Sequence, residues 1–243
     1  MAKKLMLGLG ITALCALCGN HSYAQQQRHH HNWDDVDRTS AINVDSTTKG
    51  KYTLIFVNED ATFSKETEQK MTDAFFKVYP EEAKEYNPDT KKKVIIVIDT
   101  AYKGVAATAG IVVRVNPKWM HDHPEDVDVV THEVMHIVQS YHGNAGPGWI
   151  TEGIADFVRN QFGVNNKVAE WSLTPFNSKQ SYTNAYRITA RFFVWIQKKH
   201  DKTFVCELDA AMRSHTYTND FWKNKTGKTV DELWAEYARN PMI

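Results

Sequence analysis

The first strongly apolar pattern in the body of the chain begins just after residue 50. KYTLIFVNED, 51 to 60, has the β-branched and aromatic content of a strand that ends in polar residues. In SKETEQKMTDAFFKVYPEEAKEY, 64 to 86, Met71, Ala74, Phe75, Val78 and Tyr79 recur at helical spacing. Ser64, followed by Thr67 and Glu68, supplies a start signal, and Pro80 is expected to end or kink this helix. KKKVIIVID, 91 to 99, is a continuous apolar run of the kind buried on both faces of a sheet. ATAGIVVRVNP, 107 to 117, reads as one further strand that Pro117 stops. Strand, helix, strand, strand predicts a mixed sheet with helices against it.

From Val127 the period changes. DVDVVTHEVMHIVQSYH predicts a helix whose Val130, Val134, Ile137 and Val138 cover a broad apolar face. HGNAGPGW is a turn-rich connection, and TEGIADFVRNQF opens another helix. Further helices are expected at 184 to 199, 203 to 214 and 229 to 239, where Leu233, Trp234 and Tyr237 seal the core. The N-terminal half is thus mixed and the C-terminal half helical. Nothing between them has linker composition, so an α+β fold of two lobes in one domain, 49 to 243, is expected. Residues 25 to 48 are polar and read as a linker, with Trp33 as an anchor and His29, His30 and His31 in a mobile tail.

The first 24 residues stand apart. Lys3 and Lys4 precede the short apolar run LMLGLGITALCALCG, and Ser22 and Ala24 set small residues before a cleavage point. This is the pattern of a secretory signal peptide, too short in its apolar part to span a bilayer. Export to a periplasm or the extracellular space is therefore expected, with no integral membrane segment after signal removal. Removing the signal takes Cys15 and Cys18 with it, leaving Cys206 without an internal disulfide partner. Acidic and basic side chains number 29 each in the full chain. That balance gives nucleic-acid binding no support.

Candidate chemistry centres on His132-Glu133-Val134-Met135-His136, an HExxH pattern. On a helix, positions i and i+4 share a face, so both imidazoles can reach one metal ion while Glu133 handles the proton of a water. A hydrolytic zinc wants a third protein ligand and an open position. Glu152 and Asp156 share a face of the following helix at i, i+4, so one can be a ligand and the other can accept a hydrogen bond from a ligand histidine. Gly153 permits close helix approach. His142, six residues after His136, is the rival ligand. Gln139 stands where a turn-forming glycine would be needed, and the helix is expected to run on through Ser140, which favours Glu152.

THEVMHIVQSYHGNAGPGWITEGIADFVR resembles zincins that use glutamate as third ligand, and the chain from about 50 to 240 resembles the plant and bacterial basic secretory protein peptidase family. Tyr186-Arg187-Ile188-Thr189-Ala190-Arg191-Phe192 and the GKTVDELW stretch at 227 to 234 carry the resemblance beyond the motif. The resemblance implies a zincin-like fold with the active-site cleft between the lobes. It implies zinc held by His132, His136 and Glu152, with Glu133 as general base and Asp156 supporting the first histidine. It also implies a strand along the cleft that pairs with extended peptide, for which GIVVRVNP, 110 to 117, is the candidate. Tyr186 is the first choice for the oxyanion donor and Tyr182 the second.

The remaining features carry less. His121 and His123 read as solvent-facing, and Trp119, Trp149 and Trp171 as either subsite walls or packing. The function expected is a monomeric, secreted zinc peptidase, an endopeptidase, acting on peptides or proteins with a metal-activated water. The competing functions are a zinc hydrolase of a non-peptide substrate and a non-catalytic binding protein on the same scaffold.

Overall fold

The computed structural model describes Val36 and the chain from residue 38 to 243. The segment expected to be a signal peptide, the three histidines at 29 to 31 and Trp33 lie outside the described residues. After a 3-10 turn at Arg38–Ser40, β1 (Asn43–Lys49) and β2 (Tyr52–Asn58) form an antiparallel hairpin with Lys49 opposite Tyr52. That register leaves Gly50 and Lys51 as a two-residue turn, and Gly50 takes the positive φ of +60° that such turns require. Residues 43 to 48 therefore belong to the sheet rather than to a linker. NVDSTTK lacks apolar alternation because this edge strand is largely exposed along its length.

α1 (Lys65–Glu85) is capped by Ser64, whose side chain accepts the Thr67 N–H at 3.3 Å. It continues through Pro80, contrary to the expected break. Met71, Phe75, Val78 and Tyr79 before the missing N–H and Ala83 after it are buried, and their burial outweighs the one lost backbone bond. β3 (Lys93–Ile98) runs parallel to β2, with Leu54 opposite Val94 and Val57 opposite Val97. The predicted strand at 107 to 117 is instead a hairpin. β4 (Ala106–Ala109) turns through Gly110, at φ +58°, into β5 (Val112–Val115). β5 inserts parallel beside β3, giving the sheet order β1-β2-β3-β5-β4. β4 is consequently an edge and β5 is not.

One face of this mixed sheet meets the main core and the other a smaller cluster of Val57, Ile95, Val97 and Val112. Pro117 starts α2 (Pro117–Asp122) at its first turn, with Asn116 as cap. α3 (Val129–Gln139) and α4 (Gly148–Phe162) pack against each other, and α3 also packs on α1 and β4. α5 (Tyr186–Lys199), α6 (Phe204–Arg213), the unforeseen α7 (Asp220–Thr226) and α8 (Val230–Arg239) complete the helical lobe. Its centre is aromatic: Phe192, Trp195, Trp222 and Tyr237 are buried, and burial of such side chains stabilises by about 1.5–3 kcal/mol each. α4 can lie close to α5 because residue 153 is glycine; a Cβ there would run into Thr189. Among the described residues no helix is long and apolar enough to cross a membrane.

Candidate active site

α3 buries Val130, Val134, Ile137 and Val138 and turns His132, Glu133 and His136 toward a cleft of about 1380 Å³. The helix stops at Gln139, where Ser140 adopts the left-handed conformation (φ 47°) and bonds back to the His136 carbonyl. The expected continuation through Ser140 is thus corrected, and a turn does follow the second histidine. His142 is nevertheless exposed at the cleft and does not join the cluster. Residues 141 to 147 lead into α4, whose first turns carry Thr151 and Glu152.

Three ligand atoms converge. His132 Nε2 and His136 Nε2 are 3.3 Å apart, and Glu152 Oε2 lies 3.2 Å from the first and 3.6 Å from the second. The protons can be placed by elimination. The Thr151 carbonyl can only accept, so the Gln139 amide presents Nε2 to it at 2.9 Å and leaves Oε1 for His136 Nδ1 at 2.8 Å. His136 Nδ1 must therefore carry hydrogen. Asp156 Oδ1 likewise holds His132 Nδ1 at 2.7 Å. Both neutral imidazoles then point lone pairs inward, beside a carboxylate oxygen. Such a set of acceptors needs a cation at its centre.

The electrostatics agree. Burial alone would lower the His132 pKa, but the hydrogen bonds that Asp156 and Glu152 accept from it, and the charges of Asp156 and Glu133, raise it to about 10. Glu152 is pushed up by burial, yet the two histidines hold it well below the ordinary carboxylate range. Without a metal the cluster takes up a proton; a divalent ion supplies the same positive charge more fully. Tetrahedral zinc with bonds of about 2.0–2.1 Å would separate its ligand atoms by about 3.3 Å. The triangle described above fits that size.

Glu133 is buried, and the Thr108 hydroxyl on β4 lies 2.7 Å from its Oε2 and 3.0 Å from its carbonyl. Tyr186 stands at the head of α5 with its ring 6.1 Å from that of His132 and nearly parallel to it. Its φ is 51°, following Ala185 at 62°. Two successive non-glycine residues in this region mark a constrained approach to the cleft. The charge of Glu152, then burial, raises the Tyr186 pKa, so the phenol stays an O–H donor.

Other expected site residues fall elsewhere. Tyr182 is half-buried, donates to Asp231 at 2.7 Å and packs on Trp149 and Trp234 away from the cleft lining, which leaves Tyr186 as the candidate donor. Trp149 belongs to the same aromatic cluster, whereas Trp119 and Trp171 line the cleft. There Asp126 takes the Trp119 indole N–H and pairs with Arg159, which lies under the Trp171 ring. His123 packs at a tilt against Trp119, and His121 pairs with Asp60 at 2.7 Å. GIVVRVNP is not a free edge: β5 is bonded on both sides, and the open edge belongs to β4. Cys206 is half-buried with its thiol raised to about 11, chiefly by burial, which makes a poor nucleophile.

Sequence reasoning passed over Gln139 and Thr108. Gln139 was readable, since i, i+3 places it beside His136 on the helix. Thr108 had no local signal, because its partner is 25 residues away.

The mixed sheet leaves β4 as a free edge, and α3, which bears HExxH, packs against α4. The chain matches the family described as BSP, peptidase of plants and bacteria, over residues 36 to 237, and it belongs to that family. An aminopeptidase N family protein from Idiomarina loihiensis has a similar structure, with a TM-score of 0.50 at 10% identity over 81% of this chain and 46% of that one. An M1 zinc metallopeptidase mutant from Deinococcus radiodurans, bound to a Tyr-Ser-Ala substrate, gives 0.48 at 10% identity over 83% of this chain and 52% of that one. The chain thus spans about half the length of these solved structures. None of the curated proteins compared with it matches.

Proposed function

We propose that this chain is an exported zinc peptidase that cleaves peptide bonds within extended substrates. The observation that carries the reading is the triangle of His132, His136 and Glu152, with ligand atoms 3.2 to 3.6 Å apart and both imidazole tautomers set by bonded neighbours. His132, His136 and Glu152 would hold the ion, and Asp156 and Gln139 keep the histidines facing it. Bound zinc supplies Lewis acidity to a water and to the scissile carbonyl.

The chain's own groups do the rest. Glu133, steadied by Thr108, takes the proton from the attacking water and passes it to the leaving nitrogen. Tyr186 donates its O–H to the developing oxyanion. The free edge of β4 pairs with substrate backbone, which supports an endopeptidase. Export rests on residues 1 to 24, and a monomer is the simplest state for an open cleft.

The test is to purify residues 25 to 243, measure bound metal, and compare the parent with Glu133→Gln on a diverse peptide library. Both are expected to bind one zinc, with cleavage lowered by about 10²–10⁴-fold in the variant. Equal cleavage by Glu133→Gln would sink the mechanism. Loss of zinc from His142→Ala but not from Glu152→Ala would overturn the ligand set.

A further inference from the structure

The turn between β3 and β4 is built around one phenol. Asp99 Oδ1 accepts the backbone N–H groups of Ala101 at 2.8 Å and Tyr102 at 3.1 Å, and its Oδ2 is held by Arg114 of β5 at 2.8 Å. Asn116 Nδ2 donates to the Gly104 carbonyl at 2.8 Å. From this fixed backbone the Tyr102 ring lies across Gly104, where an added Cβ would stand 2.6 Å from the phenol oxygen and 2.9 Å from Cζ. The hydroxyl donates to the Ala106 carbonyl at 3.0 Å.

That carbonyl belongs to the open edge of the sheet. Asn116 N–H donates to the Val105 carbonyl at 3.0 Å, so Val105 faces β5. Along a strand, backbone groups of successive residues alternate between its two sides. Ala106 and Thr108 therefore direct their N–H and C=O groups away from β5, where an incoming extended peptide would find them. Tyr102 fills one of those positions, and it lines the same cleft as Glu133 and Tyr186. Burial, then the charge of Glu133, raises its pKa, so at neutral pH it remains a donor.

We infer that Tyr102 sets the reach of substrate pairing: it caps the Ala106 end of β4, so an extended peptide bonds the edge at Thr108 and must leave it, or displace the phenol, at Ala106. The group excluded is a main-chain N–H, so the selection acts on substrate length and path rather than on side-chain identity. This inference rests on the cleft being a peptide site.

The experiment measures binding rather than turnover. Labelled peptides, lengthened one residue at a time at either end, are titrated by fluorescence anisotropy into metal-replete Glu133→Gln protein. With Tyr102 present, affinity is expected to stop rising with length in one direction. Tyr102→Phe keeps the ring on Gly104 and removes the cap, whereas Gly104→Ala pushes the phenol off. Either change should let affinity rise past that length by about 2- to 10-fold, the worth of one main-chain hydrogen bond. A change of equal size at every length, no change in either variant, no length limit in the parent, or no peptide binding at all would overturn the inference. Peptides that bind with this limit but are not cleaved by the chain with Glu133 intact would sink the peptidase reading and leave the inference standing.

Discussion

The floor of the cleft and its rim hold their polar groups by different means. In the floor, formed by α3 and α4, each inward group is braced through helical spacing or across the helix pair: His136 by Gln139, His132 by Asp156. The backbone there is regular until Ser140. The rim instead draws on distant or constrained residues. Thr108 reaches Glu133 from a four-residue strand, and Tyr186 follows Ala185 through two left-handed residues, a conformation of about 1–3 kcal/mol each. A metal-sized cluster of acceptors can thus be built from regular helices, because three atoms must stay within a few tenths of an ångström. Groups that meet the substrate need to stand in the opening, and loops and strand edges put them there.

After the loss expected from Glu133→Gln, the largest effect would come from the rim. Tyr186→Phe should lower kcat by about 10²–10³-fold with KM little changed, read in steady-state kinetics, because in the proposed mechanism it removes only the oxyanion donor. A fall in KM-dependent binding with kcat intact would make Tyr186 a substrate contact and blur the division. Next comes the floor. Asp156→Ala and Gln139→Ala should each weaken zinc binding by about 10–100-fold in chelator competition, while Thr108→Val should leave it nearly unchanged. If Thr108→Val weakened zinc as much as Asp156→Ala, floor and rim would not be separable.

A smaller effect is expected behind the floor, at Glu82 on α1. Its carboxyl is fully buried, and neither oxygen has a hydrogen-bond partner among the described residues. Burial raises its pKa well above the ordinary carboxylate value. A carboxyl raised in the folded state binds more protons folded than unfolded, so its contribution favours folding at low pH and is lost as pH rises from the unfolded value toward the folded one. Glu82→Met should therefore raise unfolding free energy by about 1–2 kcal/mol at neutral pH, and by less near pH 4, in denaturant titrations. Equal gain at both pH values would show that repacking, not the charge, is responsible. The smallest effect belongs to Ala185→Gly, where relief of the left-handed strain, set against the greater chain entropy of glycine, should leave a net gain of about 0.5–1 kcal/mol while loosening Tyr186, seen as higher stability with lower kcat.

Much of the fold could be read from the chain. Apolar periodicity located α1, β2, β3 and, from α3 onward, every helix but α7, since each buries a face wide enough to impose its period. The misses share a cause. β1 is polar because it lies largely exposed on the sheet edge, and the β4–β5 hairpin hides in one run because Gly110 turns the chain without breaking its apolar character. Pro80 failed as a stop because Val78 and Tyr79 before it and Ala83 after it are buried. α7 is short, with only Trp222 buried, and leaves little pattern.

At the site, the i, i+4 spacing of His132 and His136, and of Glu152 and Asp156, is a property of helical sequence and determines which side chains share a face. Sequence alone also carried the resemblance that singles out Glu152. The packing of α3 on α4, the amide of Gln139 that orients His136, the separation of Tyr186 from Tyr182 and the choice of β4 as the open edge were decided only by tertiary structure. Spacing along one helix constrains directions within that helix. Distances between elements depend on how whole faces pack, and there a glycine at 153 or a phenol across Gly104 matters only once its neighbour has arrived.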